Sequence, residues 1–316
     1  MLIKNNQTFQ YQLSAFEACE PEAMDFLALS KICLFSSERT DKAEADGLFV
    51  NLLDSFSGSV YFKKRRYNNR LCWDVWSDEA SINAWIEKTV RASDYDFLKW
   101  PQGQSEAPRL LVFDMDSTFI QVEVIDQLAL CHGVGDTVAE VTEAAMRGEL
   151  DFAESLESRV ACLKGLSQDY INQIADDLPL SEGVEKLVNA CHKHQVKVAI
   201  VSGGFKPFVE KIKQKMHLYE VKANQLKMEL GLLTGELVGC IVDAQAKADF
   251  VKHLSHQLQL KATEILTIGD GANDLDMMRE TGFSLAYRAK PAVQGQATGR
   301  IESTHLGYLI EVFEWL

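Results

Sequence analysis

The sequence predicts an α/β fold, a parallel sheet flanked by helices, preceded by a smaller α+β domain. Three apolar runs carry that expectation: Leu110-Leu111-Val112-Phe113, Val196-Lys197-Val198-Ala199-Ile200-Val201 and Ile265-Leu266-Thr267-Ile268. Short, nearly continuous apolar runs read as strands buried on both faces. Each run ends in a loop rich in acids or glycines. Ligands in open α/β sheets bind just outside the carboxyl ends of the strands, so chemistry is expected in these loops.

Taken from the N-terminus, a chain of 316 residues exceeds a typical single core and predicts two domains. The polar segment 101–108, bracketed by Pro101 and Pro108, reads as a linker between an N-terminal domain (1–100) and the main domain (109–316). Within the first domain, Ala23 to Ser36 has helical apolar spacing. Val60-Tyr61-Phe62 and Leu71 to Trp76 read as strands, and Asp78 can cap a helix running through Val90. Trp73, Trp76, Trp85 and Trp100 read as core or interface anchors rather than a ligand cage. If exposed, they would favour a homodimer.

The first strand leads into Asp114-Met115-Asp116-Ser117-Thr118. Two acids at the edge of a hydrophobic core raise each other's pKa unless a cation intervenes. The residues permit a capped Asp-rich turn as well as a charged site. An insertion follows in which Asp136 through Arg147 is helical and Gly148 is its C-cap, and Asp151 can cap a second helix through Lys164. There Phe152, Leu156, Arg159 and Val160 share one side. A guanidinium in an apolar stripe needs a partner, either an internal glutamate or a ligand carboxylate. By spacing alone Met146 and Phe152 are core residues.

The second strand ends in Ser202-Gly203-Gly204-Phe205, before a helix beginning near Pro207. Glycines and a helix N-terminus can cradle an anion, although most such turns only reverse the chain. Val221 to Glu229 and Glu236 to Val242 form a hairpin around Gly231-Leu232-Leu233-Thr234-Gly235. By charge pattern Lys247 is a solvated helix-face residue. The third strand runs into Gly269-Asp270-Gly271-Ala272-Asn273-Asp274. Phe283 to Tyr287 extends the sheet, and His305 to Leu316 closes the chain as a helix.

Composition restricts the class of protein. The net charge of -14, from 46 acidic and 32 basic side chains, disfavours nucleic acid and anionic membranes as partners. Seven cysteines without a C-x-x-C pair point to reduced thiols and a cytoplasmic setting. Met1 to Gln10 lacks an apolar signal core, and no apolar run approaches ~18 residues, so neither secretion nor a membrane span is expected. His192, His194, His253 and His256 read as solvated surface rather than transition-metal ligands.

Taken together, D-x-D-x-T, S-G-G and G-D-G-x-N-D, with Lys247 between the last two, resemble the haloacid dehalogenase superfamily. Glu123, the stretch Met146-Arg147-Gly148-Glu149-Leu150-Asp151-Phe152, and Ser158-Arg159-Val160 resemble its phosphoserine phosphatase branch. The resemblance covers residues 108 to 300 and implies a Rossmann-like sheet with a helical cap at about 124–180. It implies Mg²⁺-dependent hydrolysis of O-phospho-L-serine through an aspartyl-phosphate, the last step of serine biosynthesis. Asp114 would be the nucleophile and Asp116 the general acid and base. The metal would be held by Asp114, Asp270 and the Asp116 carbonyl. Ser202, Gly203 and Lys247 would hold the phosphoryl group, Asp274 would orient Lys247 or metal-bound water, and Asn273 would contact phosphate or substrate. Glu123 would receive the substrate ammonium and Arg159 its carboxylate, with Met146 and Phe152 lining the cap. Thr118 favours phosphatase over dehalogenase chemistry. Some relatives carry an N-terminal amino-acid-binding regulatory domain, which makes residues 1–100 a candidate for that role. The alternatives are a phosphatase or phosphotransferase acting on another small phosphomonoester, and an amino-acid-sensing regulatory protein.

Overall fold

The computed structural model describes residues 2–4, 29–36, 42–56, 60–67, 70–104 and 106–315. Its strands, in chain order, are β1 (Leu2–Lys4), β2 (Ser30–Phe35), β3 (Val60–Tyr67), β4 (Arg70–Ser77), β5 (Asp96–Lys99) and β6 (Leu110–Phe113). They continue with β7 (Lys197–Phe205), β8 (Glu220–Glu229), β9 (Leu232–Val238), β10 (Ile265–Gly269), β11 (Phe283–Tyr287) and β12 (Gly299–Ile301). All twelve form one sheet in the order β1-β3-β4-β2-β5-β12-β11-β10-β6-β7-β8-β9.

The strands from β12 to β8 run parallel, with β6 at their centre. Leu111 of β6 is in register with Leu266 of β10 on one side and Val198 of β7 on the other. Every residue of β6 is buried, as its unbroken apolar sequence requires. Parallel register aligns the strand ends, so the loops after β6, β7 and β10 emerge at the same edge.

The strands of the first hundred residues extend this sheet. β5 pairs antiparallel with β12, placing Leu98 opposite Gly299. A Cβ at Gly299 would lie 2.6 Å from the Phe97 carbonyl oxygen, so only glycine permits this pairing. The seam is reinforced by polar side chains. Arg300 donates to the carbonyls of Arg91, Val90, Ser93 and Tyr95, while Arg91 donates to those of Gln294 and Ala297. The buried Asp96 carboxylate accepts from the backbone N–H groups of Glu302, Ser303 and Thr304.

Several local expectations change. Ser30 to Phe35 is a strand, not part of a helix, because Ile32, Cys33, Leu34 and Phe35 are all buried between β4 and β5. Ala23 to Ala28 lie outside the described residues. The hairpin turns at Leu230-Gly231, earlier than expected. Both residues have positive φ (51° and 80°), as the tight turn matching strand twist requires. The closing helix spans only Tyr308–Val312. The β3 and β4 readings hold, as does the Asp78 cap, whose carboxylate accepts from Ser81 N–H at 2.9 Å. Trp73, Trp85 and Trp100 are core residues.

Candidate active site

The loop after β6 gives its two aspartates different partners. Asp114 accepts from the Met115 N–H at 2.7 Å, and its own N–H donates to the Ile268 carbonyl at 2.9 Å, tying the loop to β10. Ser117, at φ 53°, turns the chain sharply. The Asp116 carboxylate accepts from the Val124 N–H at 2.9 Å and the Ser202 hydroxyl at 3.2 Å. Ser202 is fully buried, and its Oγ also accepts from the Gly204 N–H at 2.8 Å.

Lys247 is not solvated, as its charge pattern suggests, but fully buried. The helix Ala244–Leu258, capped by Asp243, carries it beneath the loops. Its ammonium lies 2.9 Å from Asp114 Oδ2 and 2.7 Å from Asp274 Oδ1. The Asp274 carboxylate also accepts from the Asp270 and Gly271 N–H groups, both at 3.1 Å, which folds the loop after β10 around it. Thr118 donates to Asp270 at 2.9 Å, linking the β6 and β10 loops.

One ammonium does not offset this many carboxylates. Burial, reinforced by the Asp274 charge, pushes the Asp114 carboxyl well above its usual range despite Lys247. Burial followed by Asp274 raises Asp270 to about 6, and burial followed by Glu123 raises Asp116 to about 7. Burial alone would discharge Lys247, but Asp114 and Asp274 reverse that and hold it protonated. Asp114, Asp270 and Asp274 have carboxylate oxygens within 4.8 Å of one another. This all-oxygen set, strained by its own repulsion, fits a hard divalent cation such as Mg²⁺.

The cap closes over these loops. Its helices are Gly135–Met146 and Phe152–Ala161, the second beginning as expected at Asp151, with a capping box to Glu154, but ending before Lys164. Met146 and Phe152 are not core residues: Met146 is 80% exposed and Phe152 37%, and both line a cleft of about 350 Å³. Asp114, Asp116, Glu123, Arg159, Gly203, Asp270 and Asn273 line the same cleft. A Cβ on Gly203 would sit 3.0 Å from the Phe152 ring, so the glycine allows cap and cradle to approach. Glu123 accepts from the Ser117 hydroxyl at 2.7 Å. Arg159 donates from Nε to the Ser155 carbonyl at 3.2 Å. Burial lowers its pKa, opposed by the charges of Asp126, Glu123 and Asp116.

Three further residues went unnoticed in the sequence. Asp126 and Lys290 also line the cleft. Asn224, almost fully buried, donates to the Gly203 carbonyl and accepts from the Val242 N–H, each at 2.8 Å, and so fixes the cradle from behind. Its strand, Glu220–Glu229, alternates polar and apolar residues, so nothing in the sequence singles Asn224 out.

The defining pattern of the haloacid dehalogenase-like hydrolases matches residues 108–282. Phosphoserine phosphatase of Haemophilus influenzae is 46% identical over 246 residues, covering 75% of this chain and 78% of that protein. Phosphoserine phosphatase of Vibrio cholerae is 43% identical over 203 residues, which is 64% of this chain and 62% of that protein's length. The unliganded crystal structure of a probable phosphoserine phosphatase from Vibrio cholerae superposes with a TM-score of 0.73 at 33% identity, covering 90% of this chain and 86% of that one. With its motif loops gathered at one sheet edge beneath a helical cap, the chain belongs to the haloacid dehalogenase-like hydrolases, among their phosphoserine phosphatases.

Proposed function

We propose that the protein hydrolyses O-phospho-L-serine to L-serine and phosphate, the last step of serine biosynthesis. The observation that carries this reading is the buried Asp114–Lys247–Asp274 bridge beside the Gly203 cradle, faced across the cleft by Glu123 and Arg159. The named activity of the relatives supports it. Mg²⁺, held by Asp114, Asp270 and the Asp116 carbonyl, would supply positive charge that draws phosphate and carboxylate together. An Asp114 oxygen attacks phosphorus, and the bond to the serine oxygen breaks as Asp116 delivers a proton to it. Ionised Asp116 then takes a proton from water, whose oxygen displaces Asp114 and releases phosphate. A carboxyl raised to about 7 suits that exchange near neutral pH. The Lys247 ammonium, the Gly203 N–H and the Ser202 hydroxyl stabilise the phosphoryl oxygens, and Asp274 keeps Lys247 charged and oriented. Asn273, which lines the cleft, would border the phosphate. Glu123 receives the substrate ammonium and Arg159 its carboxylate, under Met146 and Phe152.

The test compares Arg159→Ala with the wild type on phosphoserine and on p-nitrophenyl phosphate. Loss of a charge-assisted carboxylate contact should lower kcat/KM for phosphoserine by about 10²-fold and leave p-nitrophenyl phosphate within a few-fold. Equal losses on both substrates would refute the assignment.

A further inference from the structure

We propose that Lys290 is a phosphate-binding residue that captures the phosphoryl dianion at the mouth of the cleft. This role rests on the cleft being a phosphomonoesterase site. Among the side chains lining the cleft, Asp114, Asp116, Glu123, Asp126 and Asp270 are acidic, whereas only Arg159 and Lys290 are basic. A dianion entering this wall meets repulsion, and the chain as a whole adds to it with a net charge of -14. Lys247 is buried and already bonded to two carboxylates. Arg159 sits on the cap wall, where burial opposes its charge and the carboxylates of Asp126, Glu123 and Asp116 favour it. Lys290 differs from both: it is exposed, and its ammonium has no ion pair among the described residues.

The backbone beneath that side chain is fixed. The Lys290 N–H donates to the carbonyl of Asp270 at 3.1 Å, joining it to the loop that carries the acidic cluster. Its carbonyl accepts from Val293 and Gln294 N–H groups at 2.9 and 3.1 Å, and Pro291 sets the start of the short helix that follows. The Gln294 side chain returns to the Ala289 carbonyl at 2.8 Å, and Arg91 holds the Gln294 and Ala297 carbonyls from the first hundred residues. A long flexible side chain on a rigid base can reach outward to an arriving phosphate and follow it inward. Because the ammonium is exposed, its attraction acts mainly on capture and is screened by salt.

The test measures Lys290→Gln and Lys290→Arg alongside the wild type, with phosphoserine and p-nitrophenyl phosphate as substrates and inorganic phosphate and L-serine as inhibitors. For Lys290→Gln, KM should rise about five- to tenfold with kcat within about twofold, and kcat/KM should depend less on ionic strength. The Ki for inorganic phosphate should rise by the same factor while that for L-serine is unchanged, and Lys290→Arg should recover most of the loss. An unchanged phosphate Ki overturns the proposal. So does an equal rise for phosphate and L-serine, since the side chain would then only shape the cleft. If p-nitrophenyl phosphate is cleaved and phosphoserine is not, the substrate assignment falls, and the phosphate Ki still decides the role of Lys290.

Discussion

Replacing Asp270 by asparagine should stabilise the metal-free protein at alkaline pH and remove its response to Mg²⁺. Burial and then the Asp274 charge raise the Asp270 carboxyl from 3.8 to about 6. The native state therefore holds this proton more tightly than the unfolded chain does. That stabilisation is fully present below about pH 3.8 and is lost as pH rises through about 6. At about 1.4 kcal/mol per pH unit, the ionised carboxylate costs the metal-free fold ~3 kcal/mol near pH 8. Asparagine removes that cost and keeps a carbonyl for the Thr118 hydroxyl. For a chain of this size the gain corresponds to a Tm higher by roughly 3–6 °C. It should shrink below ~1 kcal/mol near pH 4, where the native carboxyl is protonated and the unfolded one is close to its midpoint. The assay is thermal unfolding of both proteins in chelator across this pH range, repeated with Mg²⁺. Wild type should gain ~3 kcal/mol when Mg²⁺ is at about 100 times its Kd, and the variant far less. A variant that melts below wild type near pH 8 without metal, or an equal Mg²⁺ shift in both, would refute the reasoning.

Two other substitutions probe the cradle. In Asn224→Ala the Gly203 carbonyl and Val242 N–H lose buried partners, so unfolding should show a loss of ~2–3 kcal/mol. In Gly204→Ala the new Cβ would stand 2.5 Å from the Asp116 carboxylate and 3.0 Å from the Ser202 hydroxyl. Displacing Asp116 should lower kcat by about 10²-fold, which steady-state kinetics would detect.

How much was legible in the sequence depended on how local each constraint was. The runs of β6 and β10 could be read directly because strands buried on both faces are apolar at nearly every position. The Asp78 and Asp151 caps could be read because a capping carboxylate bonds within its own first turn. Lys247 could not be placed by pattern, since its two partners come from loops distant in the chain and lysines on helices are ordinarily solvated. Met146 and Phe152 satisfied helical core spacing but face a cleft, because periodicity reports a shared side and not what that side meets. β5 and β12 escaped notice for a related reason. They are four and three residues long, and each exists only through its pairing with the other and with β2 or β11.

The antiparallel seam at Gly299 has a consequence for any shortened form of the protein. Cutting the chain between β5 and β6 would leave the backbone groups on the outer side of β12 bare, an open template for another chain to zip onto. β5 thus serves as an edge guard for the parallel strands, and a version trimmed of it would need a new shield along β12 to stay free of aggregation.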